Sequence, residues 1–246
     1  ARRLELEEEA LELHAEILLY RILNDFGTPA NVGTPRVAYK ETIRSAARGE
    51  ERYTVKAGDK QLFGHVVLEL RPDPGSLQPT AVVEIPGELE KDLRRFLPSI
   101  REGVLSAAGS GAIAGFPMIY LKIAIVGGSV SIDSAEQAYS AAAVQAFARA
   151  LKATESSILE PHMRFEVTVP DEYAGGVIND LQRRSADITE MGSSGTARLV
   201  KGHVALSKMF GYTTTLRSLT QGRGQHVLEP FEYRAIPAED MGKFES

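Results

Sequence analysis

Several stretches of the chain carry groups of the kind that hold anions or nucleic acid. The run Met209-Phe210-Gly211-Tyr212-Thr213-Thr214-Thr215-Leu216-Arg217-Ser218-Leu219-Thr220-Gln221-Gly222-Arg223-Gly224 places Arg217, Gln221 and Arg223 on a glycine-punctuated end. There they could hydrogen-bond phosphate or backbone groups, although an ordinary helix terminus accounts for them equally well. Arg183 and Arg184 close a predicted helix, where cations oppose the negative end of its dipole. Two loops, Lys56 to His65 and Gly127 to Asp133, would form a paired tip if they lie at one end of a common sheet. Taken separately they are solvated turns. The glycine-rich stretch Gly109 to Gly115 follows a predicted helix. A phosphate cradle precedes a helix, so this stretch reads as a connecting turn.

Other chemistries lack their residues. The absence of cysteine removes disulfides, thiolate zinc sites and thiol nucleophiles together, and it permits a reducing cytoplasm. His14, His65, His162, His203 and His226 are dispersed, with no pair at metal-ligand spacing. No serine sits in a nucleophile elbow and no P-loop occurs. The 28 basic and 33 acidic residues give a net charge of −5. Gripping nucleic acid by bulk charge is thereby excluded, and any RNA contact must be local. No apolar run approaches the roughly 20 residues a membrane span needs. Acids follow the opening Ala1-Arg2-Arg3-Leu4, so it is not a signal peptide. The lack of a starting methionine suggests a piece of something longer.

The predicted elements fall into two units. Leu11, Ala15, Leu18 and Ile22 recur at the helical period before the stop at Gly27 and Pro29. Strands are predicted over 37–43, 53–56, 64–70, 81–85 and 118–126, the last covered on both faces. A helix opens at Pro98. Another follows the capping-box spacing of Asp133 and Glu136. Its small-residue face (Ala138, Ala142, Ala146, Ala150) would let it sit close against a sheet. From Ile158 the order reads strand, helix, hairpin, helix, strand: 165–169, a helix capped by Asp171, 186–191 with 197–205, a helix through Leu216, and 227–233. That is the split β-α-β plan. Residues 238–246 read as a polar, frayed tail. The fold class expected is α+β.

Several of these strings together resemble the bacterial elongation factor G family of translational GTPases. Those of the last domain are LEPHMRFEVTVPDEY (159–173), GGVINDLQRR (175–184) and MFGYTTTLRSLTQGRG (209–224). NVGTPRVAYKETIR (31–44), GHVVLEL (64–70), AGFP (114–117) and IDSAE (132–136) are similar to the penultimate domain, and ELHAEILLYRIL (12–23) to the end of the domain before it. The resemblance implies a truncated α/β piece at 1–33, an elongated β-rich domain with two covering helices at 34–157, a ferredoxin-like domain at 158–237 and a tail. It implies a cytoplasmic, monomeric, ribosome-binding arm that works on tRNA and mRNA at the decoding centre without touching a membrane. GTP and magnesium would belong to an amino-terminal domain and no cofactor to this piece.

By that resemblance Lys60, Gln61, His65, Ser131 and Asp133 would be the tip contacts. Arg183, Arg184, Arg217, Gln221 and Arg223 would meet large-subunit RNA. The tip departs from the family pattern, which runs roughly Ser-Gly-Gly-Arg-Gly-Gln-Tyr-Gly-His. Gly58, Gly64 and His65 match it, whereas Asp59 to Phe63 do not. In the second loop Asp133, Ser134 and Glu136 match, but Val130-Ser131-Ile132 stands where the family has a histidine, and Ser185 replaces a third arginine. A divergent paralog is implied, for which ribosome protection or recycling is an alternative to translocation. A small-molecule enzyme built on Gly109 to Gly115 would lack a base, a nucleophile and a metal.

Overall fold

A long hairpin spans Ala47–Pro72, with Ala47, Val66, Leu68 and Leu70 in the core of its unit. The computed structural model describes residues 37–85 and 87–244. The helix expected from Leu11 to Ile22 and the segment 1–33 lie outside them. Contacts divide the chain into two units, one containing Tyr39–Glu160 with Tyr233–Ser246, the other containing Pro161–Glu232.

In the first unit β2 (Ala47–Ala57), β3 (Lys60–Pro72), β4 (Thr80–Val83) and β5 (Leu121–Gly128) form a sheet in the order β2-β3-β5-β4. β2, β3 and β5 are antiparallel neighbours and β4 runs parallel to β5. The preceding strand β1 (Lys40–Ile43) pairs instead with Ser156–Leu159. Helices α1 (Gly87–Leu93), α2 (Leu97–Gly109) and α3 (Glu136–Lys152) complete the unit. Leu68, Leu70, Ile123 and Ile125 pack with Ile100, Tyr139 and Phe147 in its core. Close approach of α3 requires two glycines: a Cβ at Gly49 would collide with the Ala146 carbonyl, and one at Gly64 with the Ala138 carbonyl. The small-residue face of α3 therefore lies on the sheet as its sequence indicates. β5 is buried at Leu121, Ile123, Ala124 and Ile125, but Lys122 is half-exposed and pairs with Glu84 at 2.9 Å.

The second unit runs β6 (Ser156–Pro170), α4 (Asp171–Arg183), β7 (Asp187–Ser194), β8 (Ala197–Ala205), a 3-10 turn (Leu206–Lys208), α5 (Tyr212–Thr220) and β9 (Gln225–Ala235). β6 is antiparallel to β8, and β8 to β7. β9 pairs with β6. This is the ferredoxin-like arrangement within an α+β chain. Phe165, Val167 and Val169 face Val177, Leu181, Tyr212 and Leu216 in a second core.

Three local expectations are corrected. α3 begins at Glu136, and Ala135 rather than Asp133 holds its cap position with no side-chain cap. Residues 133–135 are drawn out alongside β3: the Phe63 N–H donates to the Asp133 carbonyl at 2.8 Å and the Ala135 N–H to the Phe63 carbonyl at 3.1 Å. Asp171 does not cap α4, because its carboxylate is ion-paired with Arg198 at 2.6 Å. Residues 238–244 are not frayed: α6 (Ala238–Met241) leads Phe244 onto Tyr39, with ring centroids 4.8 Å apart, and onto Phe116 at 5.7 Å.

Candidate functional site

The β2–β3 hairpin turns in two residues, with Ala57 paired to Lys60 and Gly58 at φ 65°. A short hairpin turn needs this left-handed conformation, which glycine adopts without strain. Beyond β5 the chain runs along β3, bridging Ser134 to Phe63. The hairpin and the 129–135 loop thus occupy one end of one sheet. Lys60, Gln61, Ser131 and Asp133 are exposed there.

His65 is the exception among the expected tip contacts. It is only 6% exposed, although strand alternation sets it on the face opposite Val66, Leu68 and Leu70, because it lies between two partners. Its Nε2 donates to the Glu50 carboxylate at 2.9 Å and its Nδ1 meets the Ser129 hydroxyl at 2.8 Å. The bond to His65 holds the Glu50 carboxyl below its ordinary range. The Ser129 carbonyl also accepts the Tyr139 hydroxyl at 2.8 Å, and burial raises the Tyr139 phenol. The Tyr139 ring stacks on Phe96 at 4.2 Å. His65 therefore positions the second loop against the hairpin and presents little surface of its own.

The turn at 109–116 belongs to the same unit and has a different use. Glu41 is fully buried, and its carboxylate accepts the N–H groups of Ala112, Ile113 at 2.8 Å, Ala114 at 2.9 Å and Phe116 at 3.1 Å. A Cβ at Gly111, φ 65°, would strike both that carboxylate and the Phe116 carbonyl. The loop is an anion nest whose anion is the chain's own, so a phosphate would have to displace a buried glutamate. A cleft of about 440 Å³ is lined by Arg44, Ser45, Lys152, Ala153, Thr154 and Glu155. Four of these groups are committed to one another: Arg44 pairs with Glu155 at 3.5 Å, and Ser45 meets Thr154 at 3.0 Å. Among the described residues no three His, Asp or Glu side chains gather as metal ligands. No described helix is long and apolar enough to cross a membrane.

In the ferredoxin-like unit the five expected RNA contacts do not form one patch. Arg184 binds Asp180 at 2.8 Å, the Lys208 carbonyl at 2.6 Å and Thr215 at 3.2 Å, with its guanidinium 5.1 Å from the Tyr212 ring centre. It is a strut between α4 and the start of α5. Arg183 beside it is exposed. Arg223 lies at the other end of α4, paired with Glu172 at 2.9 Å and 4.7 Å over the Tyr173 ring. Arg217 and Gln221 are exposed, and Gln221 closes α5 at φ 55°. The length of α4, about 18 Å at 1.5 Å per residue, separates Arg183 and Arg184 from Arg223.

Two models of known protein families match the chain, one after the other. Residues 35–155 match elongation factor G, domain IV, and residues 157–243 the elongation factor G C-terminus. The chain belongs to the elongation factor G family. It is 41% identical over 235 residues to elongation factor G of Pseudothermotoga lettingae, covering 94% of this chain and 34% of that protein. Against elongation factor G of Aquifex pyrophilus the figures are 39% over 227 residues, 92% and 32%. A solved structure from Thermus thermophilus superimposes with a TM-score of 0.85 at 31% identity, covering 95% of this chain and 34% of that one. The chain thus spans about a third of the length of the relatives it matches.

Sequence reasoning gave no role to four residues that the structure makes prominent. Glu41 reads as one more strand residue, with only a lone acid in an apolar alternation to betray it. Glu50 and Ser129 gain meaning from their distance to His65. Ile132, fully exposed, was visible as the one large apolar residue between Ser131 and Asp133.

Proposed function

We propose that this chain is the ribosome-binding arm of an elongation factor G-like translation factor, and that it acts in GTP-driven translocation of tRNA and mRNA. The observation that carries this reading is the braced tip: two loops of the domain IV unit joined through His65, Phe63 and Tyr139, with Lys60, Gln61, Ser131 and Asp133 outward. A stiff end presenting short polar side chains suits a cavity lined by RNA, where fit counts for more than charge. Among the arginines, this reading assigns the exposed Arg183 and Arg217 to large-subunit RNA. Arg184 is given to the fold as the strut between α4 and α5, and Arg223 to its pairing with Glu172 and Tyr173. The arm itself performs no catalysis; nucleotide chemistry would belong to another part of the protein.

The exposed Asp59 and the Val130-Ser131-Ile132 segment also favour a second reading, ribosome protection or recycling by the same family. Co-sedimentation with bacterial ribosomes across a salt series tests the arm. Binding that weakens with salt supports it, and no binding at low salt removes it. Translocation by the full-length protein, with the family's glycine-rich tip sequence restored, separates the two roles.

A further inference from the structure

We propose that Ile132, with Val130 beside it, is an apolar contact by which the tip presses on an unpaired nucleobase of RNA. The inference rests on the arm reading above. Ile132 has a relative exposure of 101% and Val130 of 41%. A lone exposed apolar residue is ordinary on a loose loop, but this loop is braced on both sides of Ile132. The Ser131 N–H donates to the Ser134 hydroxyl at 2.9 Å, and the Asp133 N–H to the Ser131 hydroxyl at 3.2 Å. The Asp133 carbonyl is held by the Phe63 N–H at 2.8 Å and the Ser129 carbonyl by Tyr139 at 2.8 Å. The backbone under Ile132 has therefore already lost the freedom that binding would otherwise remove, while its side chain is left wholly to solvent.

The chemistry of the surroundings selects the partner. Lys56 and Lys60 are offset by Asp59 and Asp133, so the formal charge of the tip cancels. Attraction to phosphate is weak there. The face of an unstacked base is uncharged and apolar, and branched aliphatic side chains wedge against such faces. The exposed Ser131 accepts a hydrogen bond through its oxygen, which leaves its hydroxyl proton for a base edge.

The test measures binding of the chain to purified bacterial ribosomes over a range of potassium chloride. Ile132→Asp and the uncharged Ile132→Ser should each weaken binding about tenfold or more, the scale of losing one buried aliphatic side chain. The slope of affinity against salt should not change for Ile132→Ser, and Ile132→Leu should stay within about threefold. Lys60→Ala should instead lower that slope by about one. All three position-132 variants should melt with the unaltered chain. Because the chain has no cysteine, Ile132→Cys carries a single photoactivatable azide, which should crosslink to ribosomal RNA. Equal binding by Ile132→Ser, or crosslinks to ribosomal protein alone, overturns the contact while leaving the arm reading intact. An unaltered chain that fails to bind at low salt removes the arm reading and the contact with it.

Discussion

The turn at 109–116 and the tip at 57–60 and 129–135 belong to one unit, and both are loops rich in small residues and backbone donors. They differ in where those donors point. In the first, four N–H groups converge on Glu41 and its carboxylate is buried. In the second, Ser131 and Ser134 satisfy the loop's own backbone, and Ile132 between them faces solvent. A loop that turns its donors inward on a carboxylate is a structural joint. A loop that closes its hydrogen bonds locally is free to present side chains. Glycine content cannot distinguish these cases, because the acceptor comes from a distant strand in one and from neighbouring residues in the other.

Removing the inward acceptor is the harshest test of this contrast. Glu41→Ala would leave four buried donors without a partner, and urea unfolding should show a loss of about 3–5 kcal/mol. A loss under about 1 kcal/mol would mean that the nest is not the joint described. Next in size is Gly64→Val, whose side chain would drive α3 off the sheet at Ala138 and should cost roughly 2–3 kcal/mol in the same assay. The contrast recurs in the neighbouring arginines. Arg184→Ala removes the strut between α4 and α5 and should destabilise by about 1–2 kcal/mol. Arg183→Ala should stay within about 0.5 kcal/mol and act on ribosome binding alone. Equal stability of the two variants would erase the distinction between strut and surface.

The smallest effect concerns acid. The Glu50 carboxyl is lowered chiefly by its hydrogen bond to His65. Its stabilising contribution is therefore complete above the ordinary value of 4.5 and declines as pH falls through the lower folded value. Carbon-13 chemical shifts of the Glu50 carboxyl should place its midpoint below 4.5, and His65→Ala should move that midpoint up. An unmoved midpoint would detach Glu50 from the brace.

Element type was legible wherever periodicity was strong. The ferredoxin-like order, the hairpin around Gly195 and the small face of α3 follow from alternation, glycine and alanine spacing. The helix opening at Pro98 was legible as well, but the two caps were not, because Asp133 and Asp171 look like caps until Phe63 and Arg198 engage their surroundings. The site was legible as a set of loops and illegible as a set of roles. His65 and Arg184 carry the chemistry of RNA contacts, yet Glu50 and Ser129 enclose the first and the Tyr212 and Thr215 neighbourhood captures the second. Such roles depend on partners between 15 and 64 residues away for His65, and no local pattern encodes them.

Whether the outward loop end is the end that meets ribosomal RNA can be read by tethered cleavage. Lys60→Cys and Ser110→Cys chains, each carrying an iron chelate, would be bound to bacterial ribosomes in turn and hydroxyl radicals generated from the metal. Cleavage from position 60 should be confined to small-subunit RNA around the decoding centre, with weaker, displaced cleavage from position 110. Identical patterns from both positions, or cleavage from 60 far from the decoding centre, would refute the assignment of the tip.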